Sequence, residues 1–196
     1  NNRNTFTAVP PLPDGKVAKQ VVSGRYHTMI LANDNTVFAS GYNLYGQLGL
    51  SDKNDRNTFT MVIDGKVSNQ VLNGKVAKEV VAGECHTMIL ANDDTVFGCG
   101  NNNHGQLGLG LDVDKLTIFT AVPPLPDGKF AKQVVPGGDH TMILAGDGTV
   151  FACGYNSDGQ LGLGDIKYRD TFTTCLPTLP PLPDGKVAKQ VVAGTY

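Results

Sequence analysis

The sequence predicts an all-β chain of repeated four-stranded antiparallel blades, about three and a half of them, the unit of a β-propeller. Three observations predict it. H-T-M-I-L-A recurs at His27–Ala32, His86–Ala91 and His140–Ala145, and G-Q-L-G-L recurs at Gly46–Leu50, Gly105–Leu109 and Gly159–Leu163. The step from histidine to glutamine (His27 to Gln47, His86 to Gln106, His140 to Gln160) is 20 residues every time, while the repeats themselves step by 59 and then 54. No segment reaches helix length with a 3.6-residue period.

Each repeat reads as short strands. K-Q-V-V-x-G (Lys19–Gly24), H-T-M-I-L-A (His27–Ala32), T-V-F-A-S-G (Thr36–Gly41) and T-F-T-A-V (Thr5–Val9, again near Phe119) are rich in Val, Ile, Thr and Phe, as strands prefer. N-D-N, N-D-D and G-D-G (Asn33–Asn35, Asn92–Asp94, Gly146–Gly148) suit tight two-residue hairpins. The G-x-N-x-x-G-Q-L-G segments (Gly41–Gly49, Gly100–Gly108, Gly154–Gly162) predict glycine-punctuated turns that carry the chain from one blade to the next. Length variation falls in P-P-L-P-D-G-K, where Phe6 to His27 is 21 residues but Phe59 to His86 is 27, so that region holds a loop tolerant of insertion. The organisation is one partial propeller over residues 1–196, with approximate repeats 1–53, 54–115, 116–168 and an incomplete 169–196. A blade cannot bury its own faces and stacks on its neighbours.

Composition narrows the function classes. The formal charge is −2 and no two basic residues are adjacent, which predicts no nucleic-acid partner. No apolar run approaches a membrane span, which predicts no membrane partner. Cys85, Cys99, Cys153 and Cys175 form no C-x-x-C pair, and Ser40 stands where Cys99 and Cys153 recur. Such a position asks for a small side chain, so free thiols and an intracellular location, cytoplasmic or nuclear, are expected.

The combination V-x-G-x-x-H-T-x-x-L followed by T-V-F-x-x-G-x-N-x-x-G-Q-L-G resembles the regulator-of-chromosome-condensation repeat over essentially the whole chain. That resemblance implies a seven-bladed propeller of roughly 50-residue blades, within the range known for propellers. Three and a half blades would then be half a ring, so either this is a piece of a larger propeller or a homodimer completes the circle.

The repeated polar residues invite catalytic or ligand roles. His27, His86 and His140 occupy one position of the unit, as do Gln47, Gln106 and Gln160, and Asn43, Asn102 and Asn156. A residue repeated in every unit serves the unit, so structural roles are expected for all. His104 falls outside the pattern and reads as a surface-turn residue. Cys85 and His86 are adjacent and point to opposite faces of a strand, so they are no nucleophile–base pair. H-E-x-x-H, a cysteine quartet, a calcium loop and a phosphate loop are missing from the sequence, so no catalytic residue, metal or cofactor is expected. Residues that differ between copies are the candidates for partner contact: Lys53, Asp55 and Arg56; Asp112, Asp114 and Lys115; Asp165, Lys167 and Arg169; and the insert Ile63–Asn73.

The expected function is a non-enzymatic protein–protein interaction scaffold. The alternatives implied by the resemblance are guanine-nucleotide exchange on a Ran-like small GTPase, with Ile63–Asn73 as a wedge, and a proteinaceous enzyme inhibitor. A photoreceptor role, known in one plant branch, relies on clustered tryptophans, and this chain has none.

Overall fold

The structure is a computed structural model that describes residues 8, 10–63, 65, 71–110, 113–175 and 187–194. It contains three four-stranded antiparallel sheets. The first is β1 (Ala18–Ser23), β2 (His27–Ala32), β3 (Val37–Gly41) and β4 (Arg56–Ile63). The second is β5 (Ala77–Ala82), β6 (His86–Ala91), β7 (Val96–Asn101) and β8 (Lys115–Ala121). The third is β9 (Ala131–Pro136), β10 (His140–Ala145), β11 (Val150–Gly154) and β12 (Arg169–Thr174). Each is a simple meander in chain order. The only helical turns among the described residues are two single 3-10 turns, Pro13–Gly15 and Pro126–Gly128.

The sheets stack face against face. Side chains alternate along a strand, so Met29, Leu31, Val37 and Ala39 leave the first sheet on one side and meet Val80, Ile89 and Phe97 of the second. From the second sheet, Met88, Leu90 and Val96 leave the far side and meet Val134, Ile143 and Phe151 of the third. The middle strand of each blade is covered on both faces. That is why H-T-M-I-L-A reads as a nearly continuous apolar run while the edge strands alternate.

Two expectations change. The G-x-N-x-x-G-Q-L-G segment joins the third strand to the fourth inside one sheet, as the pairings Gly41↔Arg56, Gly100↔Leu116 and Gly154↔Arg169 require. The passage from the second sheet to the third runs instead through the P-P-L-P-D-G-K segment, between Ala121 and Ala131. Each sheet therefore straddles two sequence repeats, because the T-F-T strand hydrogen-bonds backward to the preceding unit. The hairpins are three-residue, not two-residue. Ala32 and Thr36 bracket the first, Asn35 N–H donates to Ala32 C=O, and Asn35 sits at φ +66°. Asp94 and Gly148 repeat this left-handed position, the pattern of a type I turn closed by one extra residue.

All G-Q-L-G loops and all G-x-x-H turns lie at one end of the strands. The hairpins and P-D-G turns lie at the other, where Lys16–Asp34, Lys75–Asp93 (2.6 Å) and Lys129–Asp147 make the same ion pair in each sheet.

Candidate interaction face

The loop end is built from a repeated set of buried polar contacts. His27 Nε2 lies 2.9 Å from Thr87 Oγ1 of the next sheet, and His86 Nε2 lies 2.9 Å from Thr141 Oγ1. Each threonine hydroxyl gives its proton to a carbonyl, Thr87 to Gln47 and Thr141 to Gln106, both at 2.7 Å. A carbonyl can only accept, so the hydroxyl proton is spent and the imidazole must donate from Nε2. Both histidines thus carry a proton on Nε2, and burial disfavours a second one on Nδ1. It pulls His27 down to about 4 and His86 to about 3, and lowers His140 as well. The Nδ1 atoms of His27 and His86 have no hydrogen-bond partner among the described residues. Gly24 makes the space for this joint. A Cβ there would stand 2.2 Å from His27 Cε1 and 2.3 Å from the Gly83 carbonyl.

The glutamines and asparagines tie the loops to themselves. Gln47, Gln106 and Gln160 each accept from the backbone N–H two residues earlier, at 3.0–3.1 Å. Asn43, Asn102 and Asn156 each accept from the N–H of Leu48, Leu107 or Leu161 at 2.9–3.0 Å. Their amide groups donate across to the variable loop, to the carbonyls of Asp52, Val113 and Asp165. Gln106 Nε2 also donates to Asp139 Oδ1 in the third sheet at 2.8 Å. Its counterpart Gln47 Nε2 is buried without a partner among the described residues, because Cys85 stands where the third sheet has Asp139.

The described charged candidates sit at this end, but much of their charge is used locally. Arg56 pairs with Asp52 at 2.6 Å and Arg169 with Asp165 at 2.8 Å, and the guanidinium holds each aspartate below its ordinary range. Asp55 accepts from Asn43 N–H at 2.8 Å. Lys115 lies 5.7 Å from the centre of the Tyr45 ring. Lys53, Asp114 and Lys167 are exposed, and the Lys167 carbonyl accepts from Asn156. Asp112 and most of the Ile63–Asn73 insert (residues 64 and 66–70) lie outside the described residues. The eight charged candidates among the described residues do not converge on one point.

The aromatics are what sequence reasoning missed. Tyr26, Tyr42 and Tyr45 form an edge-to-face chain with ring centres 6.0 and 6.3 Å apart, and Arg25 lies 5.0 Å from the Tyr26 centroid. His104, Tyr155 and Tyr168 form a tighter triangle of 5.1, 5.1 and 5.0 Å. The available signal was variation inside the rigid half of the repeat. Tyr26, Cys85 and Asp139 share one position, as do Tyr45, His104 and Asp158.

Among the described residues no group of three or more His, Cys, Asp or Glu could hold a metal ion, and no helix is long and apolar enough to cross a membrane. All four cysteines are free thiols. Burial raises Cys85 and Cys175 to about 11 and holds Cys99 and Cys153 well above the ordinary thiol value.

Comparison with known proteins agrees with this architecture. Two family models, both described as the regulator of chromosome condensation repeat, match the chain, one over residues 18–47, 77–106 and 131–160 and the other over 93–144 and 147–196. The secretion-regulating guanine nucleotide exchange factor of Bos taurus is 37% identical over 65% of this chain and 26% of its own length. The X-linked retinitis pigmentosa GTPase regulator of Canis lupus familiaris is 32% identical over 73% of this chain and 14% of its own length. Among solved structures, Prp20p of Saccharomyces cerevisiae, described with its binding to Gsp1p and histones, superposes with a TM-score of 0.70 at 22% identity, covering 82% of this chain and 39% of Prp20p. The chain thus spans well under half of each of these proteins. Three stacked four-stranded sheets, joined by the same G-x-x-H and G-Q-L-G contacts and matched by both family models, make the chain a member of the regulator of chromosome condensation repeat family.

Proposed function

We propose that this chain is a non-enzymatic protein-binding module that engages its partner through the loop end of the sheets. The observation that carries the reading is the concentration of tyrosines on that end: Tyr26, Tyr42 and Tyr45 with the cations of Arg25 and Lys115 beside them, and Tyr155 and Tyr168 packed on the His104 ring. Tyrosine and arginine are enriched at protein interfaces because they offer large, stiff contact area with a polar tip. The repeated polar residues are occupied in holding sheet to sheet, which leaves the divergent loop residues for recognition. The relatives support a regulatory role, since their names describe an exchange factor and a GTPase regulator. The four free thiols support an intracellular, reducing setting.

Site-specific photocrosslinking tests the reading. A photoreactive residue at exposed Asn103 or Ser157, on the loop end, is compared with one at Asp127, on the hairpin end, in extract of the source cells. Discrete adducts from the first two positions and none from the third are expected. Equal labelling from both ends overturns the proposal.

A second reading, nucleotide exchange on a small GTPase, is favoured by the exchange-factor relative and by the Gsp1p binding described for Prp20p. It predicts faster release of a fluorescent guanosine diphosphate from such a GTPase when the chain is added. Unchanged release with intact binding leaves the scaffold reading alone.

A further inference from the structure

The two junctions between sheets can be compared atom for atom at the loop end. Gly46 packs on the Thr117 backbone, and Ser51 N–H donates to Thr117 C=O; Gly105 packs on the Asp170 backbone, and Gly110 N–H donates to Asp170 C=O. Thr117 and Asp170 are therefore equivalent, and with them Lys115 and Tyr168, and Tyr45 and His104. At the first junction the chain fills the aromatic surface itself, with the Lys115 ammonium 5.7 Å from the Tyr45 ring centre. At the second, Tyr168 replaces the lysine and adds a ring, beside His104 and Tyr155. No cation lies over these three rings among the described residues, and no Lys or Arg lines the groove beside them.

That groove has a volume of about 510 Å3, with His104 and Tyr168 on its wall. Asp114 and Asp170, both exposed, supply its charge, and Asn103 adds an amide. An aromatic surface flanked by carboxylates attracts a cation twice, through the ring quadrupole and through Coulomb attraction. We infer that the groove between the second and third sheets receives a basic side chain, lysine or arginine, from a protein partner. The partner's side chain supplies to this aromatic surface the cation that Lys115 supplies at the first junction. This rests on the reading that the loop end binds proteins and names the chemistry one part of it selects. The charge pattern sets the specificity: an acidic or neutral segment gains nothing from Asp114 and Asp170.

The test is a titration followed by backbone amide shifts, with the pentapeptide acetyl-Gly-Arg-Gly-Lys-Gly-amide as probe and its Gln-for-Arg, Gln-for-Lys analogue as control. Saturable shifts are expected at His104, Gly105 and Asp170, with none at Tyr45, and the control peptide is expected to bind at least ~5-fold more weakly. Asp170→Asn removes one carboxylate and should weaken the probe by ~5-fold. Tyr168→Lys recreates the arrangement of the first junction and should abolish the saturable shifts, while Tyr168→Phe keeps the ring and should hold affinity within ~2-fold. Tyr168 is 46% exposed, so these variants leave the core intact, and thermal unfolding checks that they do. Equal binding of both peptides, unchanged binding by Tyr168→Lys, or no shifts at all overturns the inference. Crosslinked adducts from Asn103 in that last case would leave the broader binding reading standing.

Discussion

His27 and His86 each give the Nε2 proton to a threonine of the following sheet, and that fixes how the structure responds to acid. Their folded-state values lie at about 4 and about 3, below the ordinary 6.5. The unfolded chain therefore binds more protons than the folded one between those limits. Stability is full above pH 6.5 and falls as pH drops toward 4, by about 1.4 kcal/mol per pH unit for each histidine. Asp34, held at about 2 by Lys16, and the other depressed aspartates keep their full stabilisation above their ordinary 3.8 and lose it only below, so the decline between pH 6.5 and 4 is not theirs. Urea unfolding midpoints at pH 7.5, 6.5, 5.5 and 4.5 should decline across the first window, and His86→Gln should flatten the decline by one proton. A second residue-scale difference lies between Asp139 and Cys85. A double-mutant cycle of Gln106→Ala with Asp139→Ala should give a coupling of ~1 kcal/mol, because a part-buried, charge-assisted hydrogen bond joins them. The same cycle on Gln47 and Cys85 should give none, since Gln47 Nε2 has nothing to lose. The glutamines are plain in the sequence. Which of them finds an acceptor is not, because the acceptor lies 33 residues away in another sheet.

Each loop between the third and fourth strands is an element folded around one asparagine. Asn102 is buried and holds both ends, accepting from Leu107 N–H and donating to Val113 C=O. Asn102→Ala leaves a buried N–H without a partner and should cost about 2–4 kcal/mol. Hydrogen exchange checks the placement: the Leu107 amide should exchange faster, while β6 and β7 amides keep their relative protection. The Lys–Asp pairs at the hairpin end behave differently. They are largely solvent-exposed, so Lys129→Ala should shift stability by less than ~1 kcal/mol despite its recurrence in every sheet. The strands are legible from β-branched content and alternation, and the hairpins from Asn, Asp and Gly. The sheet to which the T-F-T strand belongs was not legible, because local pattern specifies a strand without naming its hydrogen-bonded neighbour.

Across the molecule, stability is a sum of sheet–sheet junctions rather than one shared core. Val21, Val80 and Val134 occupy one position of the repeat, yet Val80 is 1% exposed, Val134 2% and Val21 61%, because only the second and third sheets are packed on that face by a preceding one. Val80→Ala and Val134→Ala should each cost about 2 kcal/mol, from lost burial plus the cavity, and Val21→Ala less than ~0.5 kcal/mol. Chemical denaturation of the three variants checks this. Equal costs would mean that Val21 is covered in solution by a further protein surface.

The sequence by itself determined the strands, the repeat and the family, because strand propensity, turn chemistry and a fixed 20-residue spacing are local properties copied three times. It also marked the loop end as the variable one. Only the tertiary structure decided which variable residues act together. His104, Tyr155 and Tyr168 are 51 and 13 residues apart along the chain, and stacking one sheet on the next brings their rings within 5.1 Å. Folding of each loop on itself turns other charges inward: Asp52 with Arg56 and Asp165 with Arg169, four residues apart, pair with each other, and Asp55 accepts from Asn43 N–H, before any of them reaches a partner.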